Sequence, residues 1–361
     1  MTDLLYRFVP MGATAAPDPR RLWLDVGNRF GPGLIDHHQP DGPDRCTAAL
    51  VLEQEATILA QAQALPAGEP LEIVTHRQPD LDAITATYFV ESLLHGTLSR
   101  PAADRWAAAV CAVDRGHTRL EPDRPITPYA VFLACLELAR QDADPDPAQP
   151  DGTSLAAVRA GQRFVAWVVG QLAAGVGLDQ LGARLAAEPA WAAPLDLVRA
   201  DQGRYRRDLA RAERLTVALP RATGEGGERV PGLWIAAPES LLFKAWARGD
   251  RAGAEDPRGF VFTAVELSPT RVILSVAPGL GLWLNGLGEA LEAAETAQRR
   301  RLGRPRRGEP RPGYAGPDPW YDGRSPLHGY TIVDAPHGGT LLAPAQVRAV
   351  FAQWLAGASP N

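Results

Sequence analysis

The sequence predicts an α/β fold, with a parallel-sheet domain on the N-terminal side and a smaller mixed α/β domain after it. Three observations carry this. Leu71–His76 (LEIVTH) is an apolar run with β-branched Ile73, Val74 and Thr75, and it passes through a short loop into an apolar-periodic helix. Arg21–Gly27 and Gly31–Asp36 read as two further short strands, and each carries acidic or imidazole residues at its end. From Thr216 the pattern changes to short strands separated by Gly, Pro and charge.

The chain has 361 residues, enough for two cores. Residues 1–200 form the first expected domain, residues 201–215 a connecting helix and residues 216–361 the second domain. Within the first, CTAALVLEQEATILAQAQA (Cys46–Ala64) is a helix that stops at Pro66-Ala67-Gly68. WAAAVCAV (Trp106–Val113) suits strand or helix; delivery of Asp114 to a strand-end site decides for strand. Tyr129–Arg140 is a helix, and the Pro- and Asp-rich Gln141–Gly152 is a loop. Thr153–Leu215 is mostly helical, and its charged end, LVRADQGRYRRDLARAERL, joins the domains. In the second domain LTVALP, GLWIAA, FVFTAVE and RVILSVAP are strands, followed by the helix GLGEALEAAETAQRRR. A long loop spans Gly303–Gly329, then come the strand YTIVDA and a closing helix over Pro344–Leu355.

Hydrophobic content of 45% and charged content of 22% are those of a soluble globular protein. A net charge of -5 argues against long nucleic acid as a partner. No apolar run is long enough to span a bilayer, and MTDLLYRFVPMG lacks a basic region followed by an apolar core. Cys46, Cys111 and Cys135 lie in apolar contexts without metal-site spacing, so three buried free thiols in a reducing cytoplasm are expected. The basic residues are almost all Arg, a compositional bias; Lys244, in SLLFKAW, reads as a helix-face residue whose stem snorkels.

The chemistry concentrates at the strand ends. His76, Asp80 and Asp82 fall in one loop, where open α/β sheets place their sites. Asp36-His37-His38 follows a second strand and Asp25 ends another. One Pro-Asp-x-Asp string is weak alone, because such turns are common. Independent strand ends supplying the same ligand types are stronger. Carboxylate and imidazole without thiolate suit divalent Mn, Fe, Co or Zn, with Mg also compatible, and this density suggests two ions.

These strings resemble the motifs of the DHH phosphoesterase superfamily, which includes RecJ-type exonucleases, oligoribonucleases, cyclic-dinucleotide phosphodiesterases and manganese pyrophosphatases. VTHRQPDLDAITA is similar to its first motif, LWLDVGN to its second, IDHHQP followed by TAALVLE to its third and AVDRGH to its fourth. The order differs from the family's, since Asp25 and Asp36-His37-His38 precede His76, as in a circular permutation. The resemblance implies a DHH-type first domain with two divalent ions, Mn²⁺ first among the candidates. It implies that His76, Asp80 and Asp25 hold one ion and that Asp82, Asp25, His37 and Asp114 hold the other. It further implies that His38 faces the substrate phosphate, that Asp36 orients His37 and that the ions activate the attacking water.

In that family a C-terminal domain grips the substrate. Here DPWYDGRSPLHGYTIVDAPHGGT is the richest stretch: Arg324, His328 and His337 are candidate anion contacts, and Trp320 or Tyr321 either stacks on a base or anchors the loop. The run Arg299, Arg300, Arg301, Arg304, Arg306 and Arg307 reads as a solvated helix end and loop. The expected function is a metal-dependent phosphohydrolase acting on a phosphodiester or phosphomonoester of a small nucleotide or short oligonucleotide. The alternatives are a pyrophosphatase or exopolyphosphatase, and a non-catalytic metal- or nucleotide-binding regulatory module. The expected location is cytoplasmic, and a dimer is compatible with the sequence.

Overall fold

The computed structural model describes residues 3–10, 12–39, 42–143, 152–224, 226–306, 308, 316–325 and 330–358. The chain divides into two compact units: residues 1–114 with 126–198, and residues 115–125 with 199–361.

The first unit contains β1 (Leu4–Val9), β2 (Arg21–Leu24), β3 (Phe30–Gly31), β4 (Leu34–Ile35), α1 (Thr47–Glu53), α2 (Glu55–Gln63) and β5 (Leu71–His76). It continues with α3 (Leu81–Leu94), α4 (Arg100–Asp114), α5 (Pro128–Asp142), α6 (Gly152–Ala173), α7 (Leu181–Ala187) and the first part of α8 (Ala192–Arg211). The sheet order is β1-β5-β2-β4-β3, parallel except for the short antiparallel edge strand β3. β5 lies between β1 and β2, and its fully buried Leu71, Ile73 and Val74 account for its continuous apolar run. Because β5, β2 and β4 are adjacent and parallel, their C-terminal ends lie side by side although β5 comes last in the chain.

Two expectations fail here. Trp106–Val113 is not a strand but part of α4. Its buried residues, Ala102, Ala103, Trp106, Ala107 and Val110, recur at helical spacing, and its alanines favour the helix. Cys46 and Cys111 are not free thiols: they form a disulfide, and Cys135 alone is free and buried. Cysteine usage therefore gives no support to a reducing compartment. The N-terminal strand β1 had no counterpart in the sequence reading.

The second unit contains β6 (Glu213–Pro220), β7 (Gly227–Ala236), α9 (Phe243–Gly249), α10 (Arg251–Ala254), β8 (Phe262–Ser268), β9 (Arg271–Val276), α11 (Leu287–Leu302), β10 (Tyr321–Ser325), β11 (Tyr330–Asp334) and α12 (Pro344–Ala358). Its sheet runs β10-β11-β9-β8-β7-β6, with only the β7–β8 pair parallel. A core of Phe262, Leu274, Leu291, Trp320 and Phe351 joins this sheet to α11 and α12.

The division falls inside α8, so residues 201–215 are not a free-standing connector. The charged second half of α8 is buried along one stripe: Asp201 and Asp208 are 1% and 0% exposed. Asp201 accepts from the amides of Leu241 and Leu242, from Ser240 Oγ and from Trp246 Nε1, at 2.7–3.2 Å. Asp208 accepts from the amides of Glu239 and Ser240 and from Arg211. Among the described residues no helix is long and apolar enough to cross a membrane.

Candidate metal centre

Each candidate ligand is delivered by the end of an element. Asp25 follows β2 in a left-handed backbone conformation (φ 61°), and its amide donates to the Ile35 carbonyl of β4 at 3.0 Å. Aspartate is one of the few residues that takes this conformation at modest cost. The turn aims its carboxylate across the strand ends. Asp36, His37 and His38 follow β4, and His76 is the last residue of β5. Asp80 caps α3: its Oδ1 accepts from the amides of Asp82 and Ala83 at 3.0 and 3.1 Å. Asp114 closes α4 rather than a strand, so its place in the group comes from helix packing.

The two oxygens of Asp25 face different imidazoles. Oδ1 is 3.3 Å from His37 Nε2, and Oδ2 is 3.4 Å from His76 Nε2. His37 Nε2 also lies 3.7 Å from Asp82 Oδ2 and 3.8 Å from Asp114 Oδ2. Asp25, His76 and Asp80 form one group whose donor atoms could share a metal ion, and His37, Asp82 and Asp114 form another. A third group, Asp25, His37 and His38, overlaps both. His38 differs from the rest: its Nδ1 is 2.7 Å from Asp36 Oδ1, and 42% of its side chain is exposed. Asp36 also accepts from the amides of Asn28 and His38, at 2.6 and 3.1 Å. The ring that Asp36 is seen to orient is thus that of His38, where the resemblance implied His37.

Electrostatics mark the centre as a place where a cation could be held. Burial and the charge of Asp25 raise the Asp80 and Asp82 carboxyls, with Asp114 adding to the effect on Asp82. Burial likewise lifts Asp114 to about 6, against the pull of His37. Burial also works to raise Asp25, but His37 and His76 hydrogen-bond to it and hold it well below the usual carboxylate range. His37 and His76 are raised: burial opposes their charge, and Asp25 outweighs burial. Four carboxylates and two imidazoles in one buried volume repel or protonate one another unless a positive ion intervenes. Among the described residues Asp114 Oδ2 is buried without a hydrogen-bond partner, as an open ligand position would be. The donor set is oxygen and nitrogen only, which fits a hard or borderline divalent ion.

Sequence reasoning missed the second tier of the site. Thr47, at the start of α1, donates from Oγ1 to Asp25 Oδ1 at 3.0 Å, while its amide and that of Ala48 hold the two Asp82 oxygens at 2.7 and 2.8 Å. The only signal was a hydroxyl residue opening a helix soon after the His pair, and that is an ordinary helix start. The Cys46–Cys111 disulfide joins the residue before Thr47 to the helix that ends in Asp114.

The second-unit candidates are not gathered in this way. His337 is 72% exposed, with Nδ1 3.9 Å from Asp318 Oδ1. The side chain of Arg324 and all of His328 lie outside the described residues, as does most of the predicted loop at 141–152. Trp320 is buried in the core, so it anchors its loop and is not placed to stack on a base. Arg299 and Arg306 are not solvated as expected: Arg299 binds Glu295 and the Gly339 carbonyl, and Arg306 binds Glu292 and the Asp318 carbonyl. No family model matches the chain, and no curated protein matches its sequence significantly.

Proposed function

We propose that the chain is a metal-dependent phosphohydrolase that cleaves a phosphodiester or phosphomonoester of a small nucleotide or short oligonucleotide. One observation carries the reading: a single buried carboxylate, Asp25, turns one oxygen to His37 and the other to His76, between two ligand groups. Asp25, His76 and Asp80 would hold one divalent ion; Asp25, His37, Asp82 and Asp114 would hold a second, with Mn²⁺ the first candidate. Bound there, such ions polarise a phosphoryl oxygen and lower the pKa of water.

The chain's own residues do the rest. Thr47 and the first amides of α1 fix Asp25 and Asp82, so the ligands are in place before substrate arrives. Burial works against a charge on His38, but its hydrogen bond to Asp36 prevails and raises the imidazole to about 10. In the metal-free centre the Asp36 hydrogen bond thus favours the protonated ring, and that ring reaches solvent, where it could face a phosphate. A cleft of about 740 Å³ is lined by Asn28, Arg29, Phe30 and Gln39, the residue that follows His38. Its cation, exposed ring and amide would contact the part of a nucleotide that is not cleaved.

The test is metal-free protein reconstituted with Mn²⁺ and offered dinucleotides, cyclic dinucleotides, mononucleotides, pyrophosphate and polyphosphate. We expect metal-dependent turnover of a nucleotide ester, and loss of both ions in Asp25→Asn. Full metal occupancy in Asp25→Asn would remove the bridging role. Turnover of pyrophosphate alone would replace the ester reading with the phosphoanhydride one, and metal binding with no turnover would favour a regulatory module.

A further inference from the structure

Cys46 is the N-cap of α1, a position that ordinarily belongs to Ser, Thr, Asp or Asn, and its side chain makes no capping hydrogen bond. It is bonded instead to Cys111 of α4, and its amide donates to Cys111 Sγ at 3.4 Å. The next two amides, those of Thr47 and Ala48, donate to the two oxygens of Asp82, and Thr47 Oγ1 donates to Asp25. Cys111 stands three residues before Asp114, the spacing that puts both on one face of α4. The bond thus ties the start of α1, which holds Asp82, to the helix that delivers Asp114. Asp82 and Asp114 belong to one candidate ligand group, with His37. The other group, Asp25, His76 and Asp80, meets this linkage through the Thr47 hydroxyl on Asp25.

Disulfides usually staple small domains that lack a sufficient core. The first unit has a large one, in which Leu22, Leu24, Ile73, Val74, Phe89 and Phe132 are fully buried. The bond is therefore not needed to make a core, and it sits beside the candidate ligands. One of its sulfurs is within reach of a reductant: Cys46 is 1% exposed, but Cys111 is half-buried. A thiolate of a dithiol would attack Cys111 Sγ and form a mixed disulfide, while Cys46 leaves as a thiolate and takes up a proton. The second thiol of the reductant then displaces Cys111 as a thiol. The chain gains two electrons and two protons, and the dithiol becomes a disulfide. The two cysteine sulfurs part from bonding to van der Waals separation, at the junction of α1 and α4. We propose that Cys46–Cys111 is a redox switch of the candidate metal centre: closed, it holds the His37, Asp82 and Asp114 group together, and opened by a dithiol it loosens that group. The inference rests on the metal-centre reading and adds regulation to it.

The experiment compares the oxidised full chain with the same chain treated with dithiothreitol and freed of it by gel filtration under argon. Thiol titration in denaturant should count one thiol in the first and three in the second. Mn²⁺ binding is measured by equilibrium dialysis. One of the two ions should bind about 10- to 100-fold more weakly to the reduced chain, the loss that follows removal of a group supporting a metal ligand. In the metal-free chain, hydrogen exchange at the Thr47 and Ala48 amides should be faster after reduction. Cys111→Ala should match the reduced chain in both readouts and ignore the dithiol; if that variant does not fold, the chemically reduced wild type carries the test alone. A bond that only braced the fold would lower the thermal midpoint on reduction but leave Mn²⁺ affinity and exchange at these amides unchanged, and that result overturns the proposal. No ion bound in either state would remove the metal reading, and exchange at Thr47 and Ala48 would then decide the switch: faster exchange after reduction keeps it, and unchanged exchange overturns it.

Discussion

The two units bury carboxylates in opposite ways. On α8, Asp201 and Asp208 are as buried as Asp25 and Asp82, yet every donor around them is an amide, a hydroxyl, an indole or an arginine. At the strand ends of the first unit, Asp25, Asp80, Asp82 and Asp114 are close enough to raise one another's pKa values, with Asp25 alone lowered by its imidazoles. A buried carboxylate surrounded by donors is a fastening. One close to other carboxylates and imidazoles is a place where a cation could be held. Burial alone does not separate structure from function; the sign of the neighbours does.

The largest test of this contrast is Asp201→Ala. It leaves several buried donors without an acceptor, and we expect a loss of about 3–5 kcal/mol, read as a shift in the urea midpoint. A change below about 1 kcal/mol would mean that the α8 carboxylates are not fastenings. Next is His38→Ala, expected to keep bound metal while lowering turnover about 10²- to 10³-fold, or about 2.7–4 kcal/mol in the barrier. Loss of metal together with rate would move His38 into the ligand set.

A third test varies pH. In the metal-free protein Asp80, Asp82, Asp114, His37, His38 and His76 all have raised folded-state pKa values. Such groups stabilise the fold fully below their unfolded pKa, and that stability is lost as pH rises through the folded value. Asp25, whose folded value is depressed, loses its contribution only as pH falls through that lower value. The metal-free protein should therefore lose thermal stability between about pH 4 and pH 6, through Asp114, and again from about pH 6.5 upward, through His38. With Mn²⁺ at a hundred-fold excess over Kd, each ion should contribute about 2.7 kcal/mol, and the slope should reverse because ligands must be deprotonated. Identical slopes with and without metal would argue against a cation site. The smallest effect is expected from Asp114→Asn in chelator. Among the described residues Asp114 Oδ2 has no hydrogen-bond partner to lose, so stability should change by less than about 1 kcal/mol, or rise, while metal binding falls.

Much of the candidate site was legible because its residues lie at or just after strand ends, where local pattern and chemistry coincide: His76, Asp80, Asp82, Asp25 and Asp36-His37-His38. Asp114 was included in the candidate set on the wrong element, because an Ala-rich segment with one Trp and two Val fits either period. The roles of Thr47, Cys46 and Cys111 depend on contacts between residues far apart in sequence, which no local pattern carries. The end of α8 was read only as a charged helix joining the domains, because the amides that hold its carboxylates lie in a segment more than thirty residues away. β10 was hidden in a Gly- and Pro-rich stretch, and β1 in a segment whose alternation leaves Leu5 exposed. The alternate α/β pattern and the strands β6, β7, β8, β9 and β11 needed only their own residues.

The Cys46–Cys111 bond closes a covalent ring with a sequence separation of 65 residues. His76, Asp80 and Asp82 lie inside that ring, and Asp25, His37 and Asp114 lie outside it. The ring also contains the exposed turn Pro66-Ala67-Gly68, between α2 and β5. A protease that cut there would not release a fragment: the two pieces would stay joined through sulfur and migrate as one species until a reductant was added. The first unit can thus be opened within its chain, just ahead of β5, and still remain a single molecule.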